Sequence, residues 1–159
     1  MSVKVEATFK DRRVKKFMKD ISNNLKDADK KKQFYSFLGI EVFADIIDHF
    51  ENEEGPNGPW QQRSEPYKSI IEGKGFTKIL QVTGNLRQGF QPIQGGGNLR
   101  KTSDGILWFN KAKTSNGFPY AAAHDEGTAK LPQRKFMWLS QKRLDKMGDL
   151  ILKKVLGVK

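Results

Sequence analysis

The chain has 159 residues and a mass of 18.1 kDa, a length that suits one compact domain and is short for two. Apolar residues make up 36% and charged residues 30%, with eleven Phe and three Trp to build a core, which excludes collagen, a coiled-coil rod and low-complexity disorder. No apolar run approaches the roughly 18 residues of a membrane span, and the N-terminus lacks the apolar region of a secretory signal. The absence of cysteine excludes disulfides, thiolate nucleophiles and Cys-ligated zinc, and His49 and His124 are the two histidines in the sequence.

The formal net charge of +11 is distributed in three blocks. Residues 1–32 hold eleven Lys and Arg against five Asp and Glu, residues 33–72 hold two against eight, and residues 73–159 hold sixteen against five. A basic excess is typical of proteins that contact nucleic acid, whereas separated acidic and basic blocks also allow copies of one chain to bind each other. The charge pattern leaves both alternatives open.

Apolar periodicity predicts two helices at the start of the chain. The first runs from about Lys10 to Lys26, and the second from about Lys31 to Glu54, where apolar residues repeat at helical spacing. The sequence EGPNGP then ends the second helix, and residues 55–75 are expected to be irregular because Gly and Pro punctuate them.

The middle of the chain changes period. The short runs 79–82, 86–93 and 105–110 predict a small antiparallel sheet of three or four strands, with a hairpin-like loop at 94–98 and a turn at 102–105. Residues 117–127 favour a short helix ending at Gly127, and KFMWL (135–139) a strand or the start of a helix. Ser140 is a candidate cap for a last helix to about Leu156, with a buried stripe of Leu144, Met147, Ile151 and Val155. The predicted class is α+β, in which two N-terminal helices precede a small central sheet and a C-terminal helix packs on that sheet.

Two charged clusters are candidate contact surfaces. The first predicted helix carries basic residues that would face DNA or a neighbouring subunit, or simply solvent: Arg12, Arg13, Lys15, Lys16 and Lys19. The second carries an acidic set off its apolar stripe, a candidate inter-subunit face: Glu41, Asp45 and Asp48.

Catalytic and metal chemistry has two weak candidates. Asp45, Asp48 and His49 share one helical face and suit a divalent metal, although an exposed acidic face is the simpler interpretation. His124, Asp125 and Glu126 lie near Tyr120 and offer an acid–base pair, but no nucleophile accompanies them and a packed structural histidine is favoured. We therefore predict no enzyme activity and no cofactor.

An ordered set of short motifs spans most of the chain. It begins with FENEEGPNGPW (50–60), continues through ILQVTGNLRQGF (79–90), GILWFN (105–110) and YAAAHDEG (120–127), and ends with LPQRKFMWLS (131–140) before the terminal helix. This order resembles the phage virion-morphogenesis family of Mu-like tail-completion and neck proteins, over about residues 34 to 156. The matching positions are Phe50, Pro56, Gly58, Trp60, Leu80, Thr83, Gly84, Leu86, Tyr120, Ala121, His124, Gly127, Pro132, Arg134 and Phe136.

The resemblance implies a virion structural protein at the head–tail junction, acting as a neck or tail-terminator ring. Its implied partners are other copies of the chain, other phage neck and tail proteins, and DNA passing through the lumen, with no membrane and no small-molecule substrate. The implied location is the virion, and the host cytoplasm during assembly. The chain would be one domain (1–159), with a basic segment 1–32 that matches no motif and a family-like core 33–159. The motif residues are expected to be mostly structural: Trp60, Thr83, Gly84, Tyr120, His124, Gly127, Pro132 and Arg134. The alternative is a small basic nucleic-acid-binding module.

Overall fold

The computed structural model describes residues 28–90, 99–101, 106–110 and 112–154, which combine helices with short antiparallel strands. In chain order the elements are α1 (Ala28–Asn52), β1 (Glu54–Gly55), β2 (Gly58–Pro59), α2 (Glu65–Glu72), α3 (Asn85–Gln88), β3 (Leu99–Lys101), β4 (Ile106–Trp108), α4 (Tyr120–Glu126) and α5 (Gln141–Lys154). This mixture confirms the coarse α+β class. Within the described part of the chain, no helix has the length and apolar character needed to cross a membrane.

The long helix α1 confirms the second predicted helix. Its apolar stripe is buried at Phe34, Leu38, Ile46 and Phe50, as the spacing requires. The helix ends at Asn52, because Glu53 adopts a positive φ of 55° and the tight hairpin β1–β2 follows at once. The predicted helix over 10–26, with Arg12, Arg13, Lys15, Lys16 and Lys19, lies outside the described residues.

Residues 55–75 contain a helix that the sequence analysis did not predict. Ser64 precedes α2 in an extended conformation and Pro66 occupies its first turn, a position that proline tolerates in helices. Ile71 buries the inner face of this helix. The prediction of an irregular segment was therefore wrong for 65–72, because Gly and Pro punctuation marks the ends of α2 and not its interior.

The structure also differs from the predicted central sheet of three or four strands. Residues 79–82 form no strand, since Leu80 has a φ of +60°, and the run beginning at Leu86 is partly the helix α3, which Gly84 precedes with a φ of +72°. The strand predicted within 105–110 is confirmed as β4, which pairs with β3 in the register Leu99↔Trp108. The predicted loop 94–98 and turn 102–105 lie outside the described residues.

The end of the short helix and the start of the last helix are as predicted, whereas the predicted end of the last helix near Leu156 lies outside the described residues. α4 ends at Gly127, and Ser140 caps α5 by accepting a 3.2 Å hydrogen bond at its Oγ from the Arg143 amide. Met147 is buried and Leu144 half-buried, whereas the side chain of Ile151 and all of Val155 lie outside the described residues. The prediction placed this helix on the sheet, but it packs against α1. Residues 135–139 form neither strand nor helix.

Four aromatic side chains hold distant segments together in the core. The Phe50 ring centroid lies 5.5 Å from that of Trp60, 5.2 Å from that of Phe136 and 6.3 Å from that of Phe90. Trp60 also donates its indole N–H to the Lys135 carbonyl oxygen at 3.1 Å. Aromatic pairs at such separations contribute about 0.5–1.5 kcal/mol beyond the area they bury. This cluster therefore ties α1, the segment after β2 and the segment before α5 into one core.

An ion-pair network joins α1 to α5. Arg143 donates to Glu41 and to Asp48, each at 2.7 Å, and its Nε lies 3.5 Å from Asp45. Asp45 also accepts hydrogen bonds from the amide and hydroxyl of Ser140. Glu41 and Asp45 are 7% and 3% exposed, so the predicted acidic inter-subunit face is wrong for these two residues: their carboxylates are used inside the chain. Asp48, the third residue of the predicted acidic face, has a side chain that is 57% exposed.

The network sets the ionisation of Glu41. Burial acts to raise the pKa of Glu41, but hydrogen bonds from Arg143 and Lys146 outweigh it, so the pKa lies below its ordinary value. Burial acts to lower the pKa of Arg143, but its hydrogen bond to Glu41 and the negative charges of Asp45 and Asp48 outweigh it, so the pKa lies above its ordinary value. Both groups are therefore charged at neutral pH.

We expect Arg143→Met to lower the free energy of unfolding by about 3 kcal/mol, because two carboxylates with little exposure lose their central cation. Lys146→Met is the matched control: Lys146 also binds Glu41, at 3.1 Å, but its side chain is 54% exposed, and a loss below about 1 kcal/mol is expected. Urea denaturation of both variants measures the difference. Equal, small losses would show that the network does not stabilise the α1–α5 contact.

Gly127 ends α4 in a conformation that other residues adopt with strain. Its φ is +76°, and an added Cβ would lie 3.0 Å from the backbone nitrogen of Gln133. We expect Gly127→Ala to cost about 1–3 kcal/mol of unfolding free energy. Gly148→Ala, in the interior of α5 with open space around it, is expected to add about 0.5–1 kcal/mol. Thermal melts of the two variants should therefore shift in opposite directions, and a shared direction would contradict this assignment.

Candidate functional site

A cleft of about 1090 Å³ opens beside the aromatic core. Its walls come from the segment 61–64 with the start of α2, from residues 79–86, from α4, and from residues 130–134. Apolar side chains form part of its lining: Ile79, Leu80, Val82, Leu86, Leu131 and Pro132. The volume slightly exceeds that of typical binding pockets, roughly 300–1,000 Å³, and is large enough for several side chains of a partner.

Motif residues from three separate parts of the sequence meet in this cleft. Seven of them line it: Leu80, Thr83, Leu86, Tyr120, His124, Pro132 and Arg134. Gly84 turns the chain into α3, Gly127 ends α4, and Trp60 lies in the core directly before the cleft residue Gln61. The motifs are thus spatial neighbours around one surface and the core behind it.

Two buried arginines shape the cleft by binding backbone carbonyls. Arg63 donates to the carbonyl oxygens of residues 76, 77 and 78, and Arg134 donates to those of Gln61 and Gln62 at 2.9 and 3.3 Å. Arg63 is 9% exposed and Arg134 6%. Each guanidinium therefore fixes a loop whose carbonyls have no strand or helix partner.

The cleft carries positive charge with no acidic counterpart in its described lining. Arg63, Arg134, Lys113 and Lys130 all border it, and none of the described lining residues is Asp or Glu. Burial, reinforced by the positive charge of Arg63, lowers the pKa of Arg134. Buried charges in proteins are normally paired, so this cleft is electrostatically suited to an anionic group from outside.

His124 faces the cleft in its neutral form. Burial, followed by the charge of Arg134, lowers the pKa of His124 below 6.5, and its Nδ1 is sealed from solvent without a hydrogen-bond partner among the described residues. The Tyr120 ring lies edge-on to it with centroids 6.4 Å apart, and burial raises the pKa of Tyr120. Both groups are therefore uncharged at neutral pH.

The acid–base hypothesis for residues 124–126 is not supported by this arrangement. Asp125 accepts hydrogen bonds from the amides of Phe136 and Met137, each at 2.8 Å, while His124 faces the cleft. Burial raises the pKa of Asp125 despite these two donors. The Asp125 carboxylate thus secures the segment before α5 and is not placed to exchange a proton with His124 in the cleft.

The metal hypothesis also finds no ligand set. Asp45 binds Ser140, Asp48 binds Arg143, and His49 places its Nδ1 3.0 Å from the Phe136 carbonyl oxygen and stacks on Trp138 at 4.3 Å. Among the residues that the structure describes, no group of three or more His, Cys, Asp or Glu side chains is arranged to hold a metal ion.

The sequence patterns did not single out the charged and aromatic cleft residues Arg63, Tyr67, Lys113 and Lys130, nor the polar residues Gln61, Gln62 and Ser64. Arg63 alone had a visible signal, because it is one of two basic residues in the acidic block 33–72. The others lie in loops or in the unpredicted α2, where no pattern distinguishes them from ordinary surface residues.

Comparisons of the chain with protein-family models, with curated proteins and with solved structures gave no match. The resemblance to virion-morphogenesis proteins therefore rests on the ordered motifs.

The lowered pKa of His124 predicts a pH-dependent stability. Because the unfolded chain binds a proton at this residue more readily than the folded chain, stability is retained above about pH 6.5 and falls as the pH drops below it, by at most about 1.4 kcal/mol per pH unit. His124→Asn removes this titration. Urea denaturation between pH 8 and pH 5 should give a smaller slope for the variant. Parallel curves for the two proteins would contradict the prediction.

Proposed function

We propose that this chain is a bacteriophage virion structural protein at the head–tail junction, which acts in tail completion or head–tail joining through protein–protein assembly. The observation that supports this proposal is that motif residues separated by up to 54 positions, from Leu80 to Arg134, line one cleft. A shared surface of this kind is what a domain that acts by assembly requires.

The character of that surface also favours assembly over catalysis. His124 lacks a positioned carboxylate in the described part of the cleft, and the arginines are used to hold backbone carbonyls. An open, partly apolar cleft and exposed apolar side chains such as Ile70 and Phe118 suit contact with another protein. On this proposal the chain acts without a cofactor, as a homo-oligomeric ring that touches other neck and tail proteins in the virion.

The basic blocks have a place in the same proposal. Residues 1–32 carry a net charge of +6, and contacts to the DNA backbone are independent of sequence. A ring that exposes this segment to its lumen would attract DNA without holding it at one sequence. Residues 10–26 would then form a further amphipathic helix before α1, completing the two N-terminal helices of the predicted architecture.

A nonsense mutation of the gene in its parent phage or prophage, followed by electron microscopy of the lysate, tests the function. Filled heads beside separate tails are expected for a joining or completion protein, and overlong or ragged tails for a tail terminator. Complementation from a plasmid with the wild-type gene is the control. Normal infectious particles would overturn the proposal.

The second candidate, a nucleic-acid-binding module, is favoured by the cationic cleft and the basic segment 1–32. It predicts that the isolated monomer binds duplex DNA with an affinity that falls steeply with salt, since several phosphate contacts release counterions. Such binding together with normal phage particles would place this candidate first.

A further inference from the structure

The guanidinium of Arg134 is only partly used by the protein itself. Its Nε and Nη2 donate to the carbonyl oxygens of Gln61 and Gln62, whereas its Nη1 has no hydrogen-bond partner among the described residues. Arg134 lines the cleft and is buried, and buried donors are normally met by protein groups or by ordered water. The donors on Nη1 are therefore left for water or for a ligand in the cleft.

A second guanidinium adds a like charge beside the first. Burial, followed by the positive charge of Arg63, lowers the pKa of Arg134. None of the ion pairs between described residues includes either arginine. Two cations that are 9% and 6% exposed therefore share the wall of one cleft without a described carboxylate, and a ligand with negative charge would reduce their repulsion.

The rest of the lining restricts the kind of anion that fits. Half-buried apolar side chains border the same space: Leu80, Val82, Leu131 and Pro132. Two exposed cations, Lys113 and Lys130, also border it. A ligand that fills the cleft must therefore combine negative charge with apolar groups, because a small inorganic anion would leave the apolar lining uncovered.

We propose that the cleft binds an acidic segment of a partner protein, in which an Asp or Glu carboxylate lies beside apolar side chains. The carboxylate accepts hydrogen bonds from Nη1 of Arg134, the adjacent apolar side chains cover Leu131 and Pro132, and further acidic residues lie near Lys113 and Lys130. Hydrogen bonds between arginine and carboxylate are charge-assisted and stronger than neutral ones. The inference rests on the proposed function and deepens it, since it states the chemistry by which an assembly partner is recognised.

A protein segment fits this cleft better than nucleic acid does. The phosphates of a duplex lie on a broad convex surface and cannot reach donors that are buried in the wall of a cleft. Single strands are bound in grooves that follow the backbone and offer aromatic faces to successive bases. Tyr120 and His124 instead lie edge-on to each other, half-buried, and a phosphodiester backbone offers nothing to the apolar lining.

Fluorescence anisotropy with the full chain and a labelled, end-capped peptide of alternating leucine and glutamate tests the site. The same peptide with glutamine in place of glutamate is expected to bind about tenfold more weakly, because it lacks the charge-assisted bonds. Lys113→Gln with Lys130→Gln alters exposed side chains and should weaken binding of the acidic peptide several-fold. Lys74→Gln with Lys142→Gln is the matched control: it removes the same charge at exposed positions outside the described lining and should bind as the wild type does.

Nuclear magnetic resonance locates the bound peptide. The ring protons of His124 and the methyl groups of Leu131 should shift on titration, whereas the methyl groups of Ile40, 61% exposed on α1, should not. Absence of binding, equal binding of the glutamine peptide, or shifts outside the cleft would each overturn the inference. Tighter binding of a thymidine oligonucleotide with the same shifts would overturn it in favour of nucleic acid.

The phage phenotype is a separate measurement from peptide binding. A head–tail defect in the nonsense mutant, together with a cleft that does not bind the acidic peptide, would leave the proposed function standing and remove this inference alone. Specific binding of the peptide in the cleft, together with normal infectious particles from the nonsense mutant, would overturn the proposed function and keep the cleft as a binding site for acidic segments.

Discussion

The structure depends on buried polar side chains that satisfy the backbone of irregular segments. Between α1 and α5 the described elements are short, so many amides and carbonyls have no helix or strand partner. Side chains supply those partners: Arg63 and Arg134 bind carbonyls, Asp125 binds the amides of Phe136 and Met137, and Gln81 donates to the carbonyl of Phe50 at 2.7 Å. An unpaired buried polar group costs about 1–3 kcal/mol, which makes each of these side chains a condition for the loops to be buried at all.

The same requirement couples the core to the cleft. Trp60 packs on Phe50 and donates to the carbonyl of Lys135, while Arg134, one residue earlier, donates to the carbonyl of Gln61, one residue after Trp60. The segments 60–61 and 134–135 are thus joined by two hydrogen bonds, one on the side of the core and one on the side of the cleft. These bonds attach the cleft wall to the aromatic cluster behind it, an arrangement that suits a surface that presents a fixed shape to a partner.

An element could be predicted from the sequence where the residues that determine it lie close together along the chain. Local signals located α1, α4 and α5, since apolar spacing, Gly127 and Ser140 act within a few residues. Long-range partners decided the rest: Asp45 was expected at the surface, but Arg143 and Ser140, about 95 positions away, bury it. The positive φ of Leu80 likewise breaks a run that reads as a strand. The motif residues were visible in order, but their meeting in a cleft depends on contacts that no local pattern encodes.

Ion pairs within the chain determine which charged side chains remain available to a partner. In the acidic block 33–72, Glu41 and Asp45 bind Arg143, and Glu51 pairs with Arg87 at 2.5 Å. Several carboxylates of this block are therefore paired with cations of the same chain. The positive charge of the cleft has no such compensation among its described lining residues. The block pattern of the sequence therefore overstates the negative charge that α1 offers to a partner, whereas the positive charge that borders the cleft is not reduced in the same way.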